Sequence, residues 1–300
     1  MLIENYNDGT KYKINIDLHK KNTSYYKIYN FIDYSTVVLD VGCACGDLGY
    51  ILCTKKNCTL YGLEYNKHSI EIAHNLKVYK NIWQCDLNSF VPEQAFNLNI
   101  SFDYIVCGDI LEHLYNPSKT LLKLITVLKP NGHIVISIQN IGHSSIKAQL
   151  LDNNFIYTKT GLLDNTHIKF FTKNSIPNFL SKINLQIDAC DASTARFNGD
   201  YPPDLYKNLS IYTLVSIYKD KFSHIYQFIL KCSNSKDKYE TLLQNNTEKI
   251  NNITINKRLN ILNFIKLIST KYKILNIFLN KLHKSFYHMY KKKSQNCSDE

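Results

Sequence analysis

The stretch Val37-Val38-Leu39-Asp40-Val41-Gly42-Cys43-Ala44-Cys45-Gly46-Asp47-Leu48-Gly49 constrains the fold of this chain more than any other. An apolar, β-branched run leads to Asp40, a loop follows with Gly42 and Gly46, and Leu48 to Leu52 resumes at helical spacing. That order spells a buried strand, a tight glycine turn and the start of a helix, as in the nucleotide crevice of an open α/β sheet. A glycine turn alone is weak evidence. The acidic residue ahead of Gly42 sharpens it, because a pyrophosphate-cradling loop has little use for a carboxylate there. A ligand with a cationic or hydroxyl-rich end does.

The alternation continues along the chain. Tyr25, Ile28, Tyr29 and Ile32 lie at helical spacing, Thr59 to Glu64 spells a second strand, and Ser69 to Leu76 the helix after it. Asn81 to Cys85 is a short third strand ending at Asp86, and Phe102 to Cys107 a continuous apolar fourth. Pro117, favoured in a first turn, opens a helix to Leu128. Lys129-Pro130-Asn131-Gly132 has the composition of a turn before a fifth strand, His133 to Ile138. Further on come a helix over Ser175 to Ile183, a strand from Leu185 to Ala189, a helix from Asp204 to Tyr218 and a last strand from His224 to Cys232. Buried parallel strands between helices predict an α/β, Rossmann-like doubly wound sheet, with its ligand outside the carboxyl ends of the strands. The expected division is a leader and helix (1–35), a sheet domain (36–232), and a basic linker with a helical tail (233–300). Ser233 to Asn256 is polar enough to be a linker or an exposed helix.

A hydrophobic content of 44% over 300 residues is ample for a core. The net charge of +11 belongs to the tail: residues 1–200 carry 19 Lys and Arg against 18 Asp and Glu, and residues 201–300 carry 17 against 7. Arg196 and Arg258 are the only arginines, whereas phosphate and base readout favours the arginine fork, so nucleic acid is not an expected partner. Nine cysteines without a Cys-x-x-Cys pair predict reduced thiols and a cytoplasmic protein. Met1 to Lys21 lacks the apolar run of a secretory signal, and no stretch of about 18 apolar residues occurs to span a membrane.

Glu64, some twenty residues past Gly42 at the end of the second strand, can accept from both hydroxyls of a ribose. Asp86, at the end of the third, can accept from an adenine amino group. Asp40-x-Gly42-x-Ala44-x-Gly46, Glu64, Cys85-Asp86-Leu87, Phe102-Asp103-Tyr104-Ile105 and Leu128-Lys129-Pro130-Asn131-Gly132 resemble the successive motifs of class I S-adenosylmethionine-dependent methyltransferases. Ala44 replaces the usual middle glycine of the loop, a position that tolerates a small side chain. Gly161-Leu162-Leu163-Asp164-Asn165-Thr166-His167-Ile168-Lys169-Phe170-Phe171-Thr172 resembles a signature of the branch often associated with bacterial cell-surface glycan and O-antigen biosynthesis. The resemblance covers about residues 20 to 232. It implies a seven-stranded sheet with its last strand antiparallel, S-adenosylmethionine rather than NAD, and a cofactor set of Asp40, Gly42, Cys43, Gly46, Glu64, Tyr65, Asp86, Leu87 and Asp109.

Methyl transfer is an in-line displacement at a sulfonium carbon, and holding the acceptor opposite the sulfur supplies on the order of 7–11 kcal/mol. A sugar hydroxyl is a poor nucleophile, so a general base adds roughly 10²- to 10⁴-fold. His113, after the fourth strand, is the first candidate for that base and His167 the second. Asp109-x-x-Glu112-His113 is also similar to the Glu-x-x-Glu-His element of quinone and small-RNA O-methyltransferases, which bind magnesium with a further downstream histidine. Its spacing would set all three side chains on one face of a helical turn, with His167 as the fourth ligand. The glycan-like branch is not generally known for a metal, so S-adenosylmethionine alone is the expected cofactor. His143 is a lesser candidate, as a residue lining the acceptor pocket or as a solvated loop histidine.

The expected function is O-methylation of a glycan or sugar-containing surface precursor. A quinone-type or other small-molecule O-methyltransferase is the first alternative, and a non-catalytic assembly subunit that keeps the fold the second. In the tail, Ile261, Ile265, Ile268, Tyr272, Leu275, Leu279, Leu282, Phe286 and Met289 step by four and three, with Lys266, Lys273, Lys281 and Lys284 on another face. An amphipathic helix over 261–293 would join subunits in a homo-oligomer, pack back on the sheet, or dock on the anionic inner surface of a membrane.

Overall fold

The computed structural model describes residues 10–92, 100–197, 199, 201, 206 and 208–255. In chain order these form α1 (Ser24–Phe31), β1 (Val37–Val41), α2 (Asp47–Lys56), β2 (Thr59–Glu64), α3 (Lys67–Asn75), β3 (Tyr79–Gln84) and β4 (Phe102–Gly108). A 3₁₀ turn at Leu111–His113 precedes α4 (Pro117–Ile125), β5 (Leu128–Gln139), α5 (Ser144–Leu151), α6 (Ser175–Ser181), β6 (Leu185–Thr194), α7 (Ile211–Lys219), β7 (Ile225–Asn234) and α8 (Tyr239–Asn251). The tail helix expected over 261–293 lies outside the described residues, as do the first nine residues of the leader.

The strands form one seven-stranded sheet in the order β3-β2-β1-β4-β5-β7-β6. β1 to β5 run parallel, and β7 inserts antiparallel between β5 and β6. This is the doubly wound sheet with an antiparallel last strand that the sequence predicts. Alternate residues feed opposite faces, as the pleat requires. Leu39, Val41, Ile105 and Ile134 pack under α4, α6 and α8, while Val38, Leu60, Val106 and Val135 pack against Ile28, Leu48 and Leu52 of α1 and α2. Each fully buried Leu or Ile contributes about 1.5–3 kcal/mol, so both layers press on the sheet and hold its carboxyl edge.

Two expectations change and a third is narrowed. The Lys129–Gly132 turn lies within β5: Phe102 pairs with Leu128 and Tyr104 with His133, so four residues bulge opposite Asp103. Lys129 Nζ closes the bulge on the Asp103 carboxylate at 2.8 Å. Of the linker and the exposed helix expected after residue 232, the polar stretch takes the helix, with one face buried. It forms α8, whose buried Leu242, Asn246 and Ile250 face α6 and β6. Finally, Asp109, Glu112 and His113 do not share a helical face, because Asp109 lies before the 3₁₀ turn with a left-handed backbone, φ +50°.

Candidate cofactor and acceptor site

The glycine loop leaves β1 at Gly42 (φ +72°) and enters α2 at Gly46 (φ +82°), backbone that costs glycine little. Ala44 also sits left-handed, φ +46°, at a cost of about 1–2 kcal/mol. The Glu64 carboxylate offsets that by accepting the Ala44 amide at 2.9 Å. The amides of Gly42 and Cys43 both go to the Leu63 carbonyl, and that of Gly46 to the Cys43 carbonyl. With these amides used internally, the loop is not a phosphate nest, in keeping with the carboxylate that precedes it. Cys43 is buried, and its Sγ lies 2.9 Å from where a Cβ on Gly62 would stand, so its side chain points into the sheet.

Asp40 is 4% exposed. Burial pushes its carboxyl up to about 7, against a lowering hydrogen bond from Tyr79 and with the Glu64 charge adding to the rise. Glu64 ends β2 with Oε1 accepting from the amides of Tyr65 and Asn66 and Oε2 from Ala44. With two amides on Oε1 and one on Oε2, the lone-pair site left for a ligand hydroxyl is on Oε2. Asp86 is exposed two residues past β3, Tyr65 is exposed beside Glu64, and Leu87 is buried in the main core. Asp40, Glu64 and Asp86 therefore stand at or just beyond three adjacent strands.

Asp109 follows β4. Its amide donates to Ser137 Oγ at 2.9 Å, the Ser137 hydroxyl donates to Oδ1 at 2.6 Å, and Gln227 Nε2 reaches both carboxylate oxygens at 2.9 and 2.8 Å. These contacts hold the strained left-handed backbone. Burial raises the Asp109 carboxyl, and raises Glu112 far more, with the Asp109 charge next. Glu112 is 2% exposed, and neither of its carboxylate oxygens has a hydrogen-bond partner. The Tyr25 hydroxyl of α1 is raised by burial and then by the charges of Asp109, Asp40, Asp47 and Glu112.

His113 and His167 come together, their rings 4.7 Å apart and edge to face. Burial lowers both, His113 to about 4, so both are neutral bases near neutral pH. His113 Nδ1 lies 3.0 Å from Thr166 Oγ1, and His167 Nδ1 lies 3.3 Å from the Leu162 carbonyl. His143 is buried rather than solvated and caps α5, with Ser145 Oγ 2.9 Å from its Nδ1. Among the described residues no group of three or more His, Cys, Asp or Glu side chains is arranged to hold a metal ion. The set Asp109, Glu112, His113 and His167 is thus not gathered as ligands.

The family model described as a methyltransferase domain matches residues 32–199, over half of the chain. The chain belongs to the methyltransferase domain family. The chain is 28% identical over 103 residues to a ubiquinone biosynthesis O-methyltransferase of Vibrio parahaemolyticus, covering 34% of the chain and 43% of the relative. It is 24% identical over 170 residues to the Vibrio vulnificus protein of the same name, covering 57% and 70%. The matched stretch thus spans less than half of the first relative's length. In fold it is similar to an O-methyltransferase of a trans-AT PKS multienzyme of Brevibacillus brevis, solved with S-adenosyl-L-homocysteine. The TM-score there is 0.54 at 16% identity, over 85% of each chain. The S-adenosylmethionine-dependent class I fold expected from the motifs is the fold observed.

Tyr25, Tyr79, Ser137 and Gln227 of the site belong to no motif, and Thr166 lies in the Gly161–Thr172 signature without a role assigned to it there. Among those outside a motif, Gln227 left a trace in the sequence, as a polar residue between Tyr226 and Phe228 in an otherwise apolar strand. The others meet their partners only through the fold.

Proposed function

We propose that this methyltransferase moves the methyl group of S-adenosylmethionine to a hydroxyl of a glycan or sugar-containing precursor. The observation that carries the donor is that Asp40, Glu64, Asp86 and Asp109 stand at or just beyond the ends of four adjacent strands, beside a loop that is not a phosphate nest. Such a row of carboxyl groups suits a donor that carries ribose hydroxyls, a sulfonium and an ammonium. Glu64 would hold the ribose, Asp86 the adenine, and the Asp40 and Asp109 side the methionine end. The bound donor supplies an activated methyl carbon, and the chain's own residues orient the acceptor, exclude water and take up its proton. His113 and His167 are the neutral bases beside it.

Support for a hydroxyl-rich acceptor comes from buried polar groups without a hydrogen-bond partner, the Glu112 carboxyl and Oε1 of Gln139. A quinone-type acceptor is the second reading. It is favoured by a groove lined by Tyr115, Pro117, Lys169, Phe170, Phe171 and Phe179, next to exposed Phe155, Ile156 and Tyr157, and by the names of the relatives. No described helix is long and apolar enough to cross a membrane. A lipid-bearing acceptor would then be met at a surface.

Release of S-adenosylhomocysteine from S-adenosylmethionine, measured against free sugars, sugar nucleotides, lipid-linked sugars and catechol-type quinol precursors, separates the two readings. Turnover with sugar acceptors alone is expected. Turnover confined to quinols would replace the first reading with the second, and no calorimetric binding of S-adenosylmethionine would sink both.

A further inference from the structure

Thr166 stands between a carboxylate and an imidazole. Its hydroxyl lies 2.7 Å from Asp164 Oδ1 and 3.0 Å from His113 Nδ1. Asp164 is 2% exposed, also takes the Thr166 amide at 2.9 Å, and lies 3.2 Å from Lys11 Nζ. Burial works to raise its carboxyl, but the Thr166 donors and Lys11 outweigh that and hold it below the usual carboxylate range. As a carboxylate it can only accept. A hydroxyl has one proton, so Thr166 gives it to Asp164 and meets His113 with a lone pair. The Thr166 carbonyl lies 3.3 Å from the same ring nitrogen and also can only accept. Both partners of His113 Nδ1 therefore require a proton on that atom.

We propose that Thr166, anchored by Asp164, is a positioning residue that keeps the proton on His113 Nδ1 and leaves the Nε2 lone pair to receive the acceptor's proton. The proposal rests on the methyl-transfer function above. His113 Nε2 takes the hydroxyl proton as the acceptor oxygen's electron pair bonds to the methyl carbon and the carbon–sulfur pair withdraws onto sulfur. The imidazolium so formed directs its Nδ1–H through the Thr166 hydroxyl toward the Asp164 charge, the task a directly bonded carboxylate performs in a catalytic triad. Lys11 and Tyr12 brace the relay from the amino-terminal segment. The Tyr12 hydroxyl lies 3.5 Å from Asp164 and 3.4 Å from Thr166, and its ring meets that of His113 edge-on. The same segment is tied to the start of α2 by the Ile14 amide, 3.0 Å from Asp47 Oδ2. The tautomer is thus set by contacts among three stretches distant in sequence.

Nitrogen–proton correlation NMR of the full chain with ¹⁵N-histidine, at neutral pH, reads the tautomer directly, and loss of signals in His113→Gln assigns them. The expected spectrum has a protonated Nδ1 and an unprotonated Nε2 for His113. Thr166→Val is expected to lose that single tautomer to a mixture, and Thr166→Ser to restore it. Asp164→Asn, whose amide can donate to the Thr166 oxygen, is expected to shift the ring toward Nε2–H and serves if Thr166→Val does not fold. A proton on Nε2 in the unsubstituted protein, or unchanged signals in both Thr166→Val and Asp164→Asn, would overturn the proposal. Calorimetry with S-adenosylmethionine on the same samples keeps the two ideas apart. Binding with the wrong tautomer overturns the relay alone, and no binding overturns the methyl-transfer function and the base role with it.

Discussion

The Tyr79 hydroxyl donates to Asp40 Oδ2 at 2.8 Å, from a side chain on β3 that crosses β2 to reach β1. Tyr79 thereby supports from below the same loop that Asp40 introduces. Tyr79→Phe leaves a buried acceptor without its donor, and is expected to lower stability by about 1–3 kcal/mol in denaturant unfolding. Because the Tyr79 hydrogen bond lowers the Asp40 carboxyl, its loss should also move upward the pH at which S-adenosylmethionine binding strengthens.

Asp40 itself carries a pH signature. Its carboxyl, near 4 in an unfolded chain, is raised to about 7 in the fold. A raised acid contributes stability that is complete below its unfolded value and is lost as pH climbs through the folded one. Between pH 4 and pH 8 the wild type should therefore lose about 4 kcal/mol relative to Asp40→Asn, an isostere that retains an acceptor for Tyr79. Unfolding curves at several pH values check this, and parallel curves for the two proteins would contradict it.

Gly49, in the first turns of α2, makes room for the same tyrosine. A Cβ there would stand 2.1 Å from the Tyr79 hydroxyl and 2.3 Å from Cζ. Gly49→Ala should cost about 1–3 kcal/mol by overpacking, despite alanine's better helix propensity. The penalty should shrink in a Tyr79→Leu background, since the two sites share one contact. Additive penalties would show that the crowding lies elsewhere.

Glu64 both holds Ala44 and faces the proposed ribose position. Glu64→Gln replaces a charge-assisted acceptor and removes one of the two oxygens that receive loop amides. Binding of S-adenosylmethionine should weaken roughly 10- to 150-fold, the equivalent of about 1.5–3 kcal/mol. Calorimetry measures it directly, and an unchanged affinity would remove Glu64 from the cofactor set.

Asn246 of α8 is fully buried and spends its side chain on the β6 edge. It accepts the Ile187 amide at 2.7 Å and donates to the Leu185 carbonyl at 2.9 Å and to Ser181 Oγ at 3.0 Å. Asn246→Ala strands those groups and should destabilise the whole sheet by about 1–3 kcal/mol, shifting one cooperative transition. A separate early transition with an unchanged main one would mean that α8 is an independent appendage.

The sheet was legible because its signals are local. Val37 to Val41 and Phe102 to Cys107 are apolar runs bounded by turn or acidic residues, and Thr59–Glu64 matches β2 to the residue. Lys129-Pro130-Asn131-Gly132 misled because turn composition marks a departure from the ladder, and a bulge within β5 is such a departure as much as a loop is. At the site, strand ends were readable, since Glu64, Asp86 and Asp109 all sit at or just past one. Side-chain partners were not. Tyr79 with Asp40, Gln227 with Asp109 and Thr166 with His113 join residues 39, 118 and 53 positions apart, and no periodicity encodes such pairings. The left-handed Asp109 was hidden for the same reason, because the contacts that hold it come from β5 and β7.

Gln227 gives the order of synthesis a structural meaning. The glycine loop, Glu64 and Asp109 emerge from the ribosome early, yet the clamp on Asp109 is carried by a strand translated long after them. β6 fares no better, since its ladder is with β7 alone. A nascent chain that has reached β6 can form four of the six ladders of the sheet and still lacks the Gln227 brace on Asp109, so the Asp109 side of the site is completed only when β7 pairs. Any helper that shelters this protein during translation would find its target in that interval.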